Sequence, residues 1–211
     1  MRPISFTYSQ AAADADSVAA AQLLNASGAI TLNGSAVVSG VANFTSSPAY
    51  ITITNEKSAT VSFIVTGTKA GGTTTQTETI AFTASGTVTG SIAFATVTGV
   101  TASAPTSATI SIGNAAIGYT DWIPLDIYVP NQVTTISAKA SGTVNYSVEY
   151  TNEDPFDRSI TQLAVPHPAA SLTAATGNET QFTTTLMRAV RLKVNSGDGS
   201  VRLTVVQQST Q

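Results

Sequence analysis

His167, the only histidine, is fixed between Pro166 and Pro168, and the carboxylates nearest to it in the chain are Glu153, Asp154 and Asp157. Imidazole beside carboxylates is the residue set of a general base or of an oxygen-rich cation site, and either chemistry asks for partners. A zinc-type centre needs further His or Cys ligands, and the chain has no Cys. A calcium loop needs spaced oxygen ligands around a turn glycine, whereas residues 153–157 read Glu-Asp-Pro-Phe-Asp. Asp154 before Pro155 is instead the start of a turn. The sequence has no Gly-x-Ser-x-Gly elbow, no phosphate-binding loop and no Ser-His-Asp set at a favourable spacing. A carboxylate pair for glycoside cleavage depends on a separation that only the fold sets, and nothing positive marks one. The expectation is a non-enzyme with no catalytic residue, no metal and no cofactor, in which His167 stiffens a loop on the rim of a β-sandwich.

Residues suited to contact with a partner are better represented. Arg188, Arg191, Lys193 and Arg202 belong to the run RAVRLKVNSGDGSVRLTVV (188–206). Val190, Leu192 and Val194, then Val201, Leu203 and Val205, alternate there with polar residues on either side of Ser196-Gly197-Asp198-Gly199. A two-residue period about such a turn predicts an antiparallel hairpin. Its aliphatic face seeks a core, and its basic row is left for water or an acidic partner. Trp122, with Ile123, Leu125 and Ile127, reads as a core or inter-domain anchor. Together with Tyr119 and Tyr128 it is also the one aromatic cluster that could serve a receptor- or glycan-binding module. Arg2, Phe6 and Tyr8 lie in the segment Met1–Ala20, read as an arm that straps onto a neighbouring subunit.

These residues have to be positioned by strands. Short alternating runs are predicted at Ala29–Asn33, Tyr50–Thr54, Thr60–Thr66, Thr75–Phe82, Ser91–Val100, Thr109–Gly113, Val133–Ala140 and Thr143–Tyr150, separated by Gly-, Pro- and Asn-containing turns. Strands at that spacing indicate sandwiches or barrels rather than parallel α/β units. The fold class expected is all-β, with two antiparallel β-sandwich modules (Ig-like or jelly-roll-like). Residues 28–115 and 116–211 would form the modules, and residues 1–27 an N-terminal arm or a short helix over about 11–24.

Composition narrows the partners. Charged residues are 10% of the chain and the hydrophobic fraction is 42%, so the surface is neutral and rich in hydroxyls, which suits contact with other protein surfaces. The net charge of −3 is shared by both halves and leaves no basic footprint for nucleic acid. No apolar run is long enough for a membrane span, and the N-terminus lacks the pattern of a signal peptide. Between Thr79 and Thr120 there is no charged side chain, which raises the expectation that neighbouring subunits cover part of that surface.

The second half carries WIPLDIYVP, then SGTVNYSVEYTNEDPFD, then VPHPA, then GNETQFTTTLMRAVRLKVNSGDGSVRLTVVQQ. In order and spacing this resembles the C-terminal module of small structural proteins of tailed bacteriophages, over about residues 121–208. The first half, with ADADSVAAAQLLNASGAITLNGS, ITITNEKSATVSFIVTGT and TQTETIAF, looks more loosely like a β-module that recurs in phage head and tail genes. It departs from that module by Lys69-Ala70-Gly71-Gly72, where an acidic turn is common. The resemblance implies a virion component assembled in the host cytoplasm and does not fix its position in the particle; the leading expectation is a capsid decoration or cement protein, with a tail or head-to-tail accessory, or a receptor- or glycan-binding module, as alternatives. The partners it implies are other virion proteins, either the major capsid protein or head-to-tail proteins, and further copies of the chain itself.

Overall fold

The computed structural model describes residues 3–128, 132–157 and 160–208. The described chain is almost entirely antiparallel β-structure, with one 3₁₀ turn at Ala170–Leu172. It divides into an N-terminal unit, Ala11–Gly118, and a C-terminal unit, Met1–Gln10 with Tyr119–Gln211. The chain opens with β1 (Ile4–Ser9), passes into the N-terminal unit, and returns at Tyr119.

The N-terminal unit contains β2 (Asp14–Leu23), β3 (Gly28–Ala29), β4 (Val37–Val38), β5 (Val41–Asn43), β6 (Ala49–Asn55), β7 (Val61–Lys69), β8 (Thr75–Phe82), β9 (Gly86–Ala102) and β10 (Thr109–Asn114). Successive stretches of the 17-residue β9 pair with β6, β5, β7 and β3, so one strand ties most of the unit together. β10 lies between β2 and β6. Val18, Ile51, Ile53, Phe63, Val65, Phe94, Val97, Ile110 and Ile112 form the core, and Phe63 meets Phe82 edge to face. Much of the uncharged run from Thr79 to Thr120 is β9 and β10; β10 is largely buried, whereas β9 is buried only at Ala93, Phe94, Ala95, Val97, Val100 and Ala102 and is uncharged on its exposed positions as well.

The helix expected over 11–24 is not formed; that segment is β2. Its alanines reflect crowding rather than helix propensity. A side chain at Gly113 would collide with the backbone of Asp14 and Ala15, and one at Gly34 with that of Asp16 and Ser17. Small residues let two neighbouring stretches of backbone approach β2, and burial of Val18 and Ala19 fixes it in the sheet.

The C-terminal unit is a sandwich of two sheets. Its strands are β1 with β11 (Gly118–Tyr119), β12 (Ile123–Pro124), β13 (Thr134–Ser141), β14 (Val144–Thr151), β15 (Val165–Pro166), β16 (Glu179–Thr183), β17 (Ala189–Gly197) and β18 (Ser200–Gln207). One sheet runs β1-β18-β13-β16; the other runs β11-β17-β14-β15, with β12 also on β17. The predicted hairpin over 188–206 is thus corrected. β17 and β18 belong to different sheets, and the turn between them is an arch over the edge of the core. The reason is the pair of aliphatic rows, all six side chains of which are buried. A hairpin would set both rows on one face of one sheet, whereas the arch packs them against each other across the core.

The N-terminal arm is corrected too. β1 pairs with β18 from Ile4↔Val205 to Ser9↔Ser200 within the same chain. Tyr8 is buried and its hydroxyl donates to Gln10 Oε1 at 2.8 Å, while Phe6 packs half-buried against the same core. Tyr8→Ala is expected to cost the C-terminal unit about 3 kcal/mol, whereas Thr7→Ala on the outer face should stay within ~0.5 kcal/mol. Urea unfolding followed by the fluorescence of Trp122, the single tryptophan, reads both.

Candidate interaction surface

The basic row expected along one face is divided by the arch. Arg191 and Lys193 lie on the outer face of the five-stranded sheet. Arg202 lies on the outer face of the other sheet, in register with Lys139 on one side and Thr7 on the other. Arg188 precedes β17 at the end of the sandwich. Arg2 lies outside the described residues.

On the five-stranded sheet, Arg191 stands opposite Glu149 of β14. Its Nε donates to Glu149 Oε2 at 2.7 Å and its Nη2 lies 2.6 Å from the same oxygen, while Lys193 Nζ lies 3.8 Å from Oε1. The segment carrying Tyr119 and Trp122 is held along β17: Thr120 N donates to Leu192 O at 2.9 Å, and Leu192 N donates to Thr120 Oγ1 at 3.1 Å. That brings the rings of Tyr119 and Trp122 to 4.1 and 4.5 Å from the Arg191 guanidinium carbon. Trp122 is buried, as an anchor should be. A cation held between two aromatic rings and a carboxylate is a structural clamp. Tyr119 and Trp122 therefore direct themselves at Arg191 and do not form a ligand platform with Tyr128. Beyond Glu149 the network continues, Asn195 Nδ2 donating to Asn145 Oδ1 and Ser147 Oγ at 2.8 and 2.9 Å.

The outer face of the four-stranded sheet bears a hydroxyl rung, Ser5–Thr204–Ser137–Thr180 in register. The Ser5/Thr204 and Ser137/Thr180 oxygens are 3.1 and 2.9 Å apart. Phe182, Thr135 and Val206 form a neighbouring rung, with Phe182 74% exposed.

His167 is buried. Its backbone N–H donates to Val148 O at 2.9 Å and its ring Nδ1 accepts from Ala169 N at 3.1 Å, while ring Nε2 has no partner. Burial lowers its pKa below the ordinary 6.5. No group of His, Asp or Glu side chains among the described residues is arranged to hold a metal ion.

The most unusual surface is one end of the C-terminal sandwich. The end holding the arches at Gly142 and at Gly197–Gly199 is polar. The opposite end is built from 124–128, 152–157, 160–163 and 184–188, and carries exposed Ile127, Tyr128, Phe156, Leu163 and Leu186, with Phe182 on the neighbouring edge strand β16. A cleft of about 250 Å³ opens there, lined by Pro124, Asp126, Tyr128, Pro155, Phe156 and Arg188. Arg188 Nη2 lies 3.3 Å from Asp154 Oδ1, both side chains being partly exposed. The loops are pinned: Tyr128 N donates to Asp126 Oδ1 and Phe156 N to Asp154 Oδ1, each at 3.0 Å, and Asp126 N donates to Gln207 Oε1 at 2.8 Å. Sequence reasoning picked Arg188 and Tyr128 but not Phe156, Phe182 or Leu186, whose exposure follows from strand ends meeting in space.

Arg191→Ala leaves Glu149 buried with only the distant Lys193. It is expected to cost about 3 kcal/mol, with Glu149→Ala costing less than additively in the double variant; a double-mutant cycle in urea measures this. For His167, the unfolded chain takes up a proton below pH 6.5 that the buried imidazole refuses. Stability is therefore unaffected by this group above that pH and declines as pH falls through the window below it. His167→Asn keeps an acceptor for Ala169 N and should flatten that slope in unfolding measured from pH 7 towards pH 5.

Comparison with protein-family models, curated proteins and solved structures finds no match to this chain.

Proposed function

We propose that the chain is a non-enzymatic structural protein of a tailed bacteriophage particle, a capsid decoration protein that reinforces the shell through contact with its neighbours. The observation that carries this reading is the apolar end of the C-terminal unit. Proteins that remain monomeric rarely leave large apolar side chains exposed together, and here Ile127, Tyr128 and Phe156 line one cleft, while the sheet faces carry mostly hydroxyls and a few charges beside the exposed Phe182 and Val206. Aromatic knobs, a cleft and a partly exposed Arg-Asp pair are the parts of a docking surface.

The resemblance over residues 121–208 supplies the setting. In a shell, each copy adds a modest contact, and many such contacts act together against internal pressure because every further one is made at high local concentration. The low overall charge suits this, since apposed neutral surfaces need little desolvation of ions. The strap proper is not part of the reading, because β1 already completes its own sheet.

Purified particles decide the matter. Decoration predicts on the order of hundreds of copies spread over the shell, measured by quantitative mass spectrometry and imaging. About a dozen copies confined to a ring at the neck would make it a head-to-tail accessory, and absence from the particle would overturn the virion reading altogether.

A further inference from the structure

The apolar end of the C-terminal unit carries a projection and a hollow side by side. The projection is Tyr128, 90% exposed, on a turn that is not loose: Asp126 accepts from the Tyr128 N–H, and Gln207 binds both Asp126 N and Asp126 O. The hollow is the cleft of about 250 Å³ between that turn, where Tyr128 forms part of its wall, and the loop bearing Pro155 and Phe156. This second wall is pinned as well, by Asp154 accepting from Phe156 N and by Gln162 Nε2 donating to Asp154 O at 3.1 Å. The cleft is smaller than the ~300–1,000 Å³ of ordinary small-molecule sites and on the scale of a socket for one large side chain.

A surface that mates with an unrelated partner has no need to carry a knob next to its own hole. One that mates with itself about a two-fold axis does, because each patch has to present both halves of the contact. The charges obey the same rule. Arg188 pairs with Asp154 within the chain at 3.3 Å, both partly exposed, and Asp126 lines the same cleft, so a rotated copy can exchange or share these contacts across the axis, whereas a patch of one sign would repel itself. We propose that this end joins two copies of the chain in an isologous dimer, with Tyr128 of each packing into the cleft of the other, against Phe156 and the flanking prolines. The proposal rests on the assembly reading above for its setting, but it is tested on free protein, so each can fail alone.

The test is sedimentation velocity of the full chain over a range of concentrations. The wild type is expected to dimerise. Tyr128→Ser and Phe156→Asp are expected to weaken association at least ~30-fold; both side chains are exposed, so at concentrations where the wild type is monomeric the Trp122 unfolding midpoint should not move. Arg188→Glu should also weaken the dimer, and Arg188→Glu combined with Asp154→Arg should restore it. A wild type that stays monomeric overturns the proposal, as does a dimer indifferent to Tyr128→Ser and Phe156→Asp. If the monomer binds capsid shells and these variants abolish that binding, the same end belongs to the capsid protein instead; copy number in particles still judges decoration separately.

Discussion

The C-terminal unit depends on one contact, the row Val190, Leu192, Val194 packed across the core from the row Val201, Leu203, Val205. Each row is the single apolar face of its strand, and each is buried only if the other sheet lies opposite. The arch between them has little freedom. A side chain at Gly197 would run into the carbonyl of Thr143, and Gly199 donates its N–H to that same oxygen at 2.9 Å. The β13–β14 connection and the β17–β18 arch therefore lock together at one end of the sandwich.

Placing β18 in its own sheet creates a further requirement. With β13 on one side, its other edge would be open along eight residues, and an open edge with buried aliphatics behind it invites pairing with another chain. β1 closes that edge and contributes Tyr8 to the core beneath it. The N-terminal segment is consequently part of the C-terminal unit, although the whole N-terminal unit separates the two in sequence.

Strands were readable because their period is local: β8 is found at Thr75–Phe82 as expected, and β6, β7, β10, β13 and β14 lie within a few residues of the predicted runs. Pairing was not readable, because a glycine-rich turn between two alternating runs serves a hairpin or an arch equally well, and only the demand for an opposing face separates them. The alanines of β2 misled for a related reason. Small residues signal both helix propensity and close backbone approach, and the glycines that reveal the second, Gly34 and Gly113, are distant in the chain. Trp122 was legible as an anchor, but its stacking on Arg191 was not, since it needs the register of β12 and β14 on β17.

The same logic explains why the two faces of the sandwich differ from its end. On the faces, register brings many polar groups opposite one another, and these satisfy each other: Arg191 with Glu149, Asn195 with Ser147, Ser137 with Thr180; Arg202 opposite Lys139 and the exposed Phe182 on the four-stranded sheet are the exceptions. Groups bonded in this way have little left to offer a partner. At the end, Asp126 and Asp154 hold the backbone at Tyr128 and Phe156, but those two side chains are exposed, so local order is present without apolar burial. A surface already ordered in the free protein loses little conformational entropy on docking, and its exposed apolar area is the term that docking recovers. The five-stranded face, with Arg191 clamped by Glu149, thus reads as finished structure, and the end with Tyr128 and Phe156 as a place that a partner would complete.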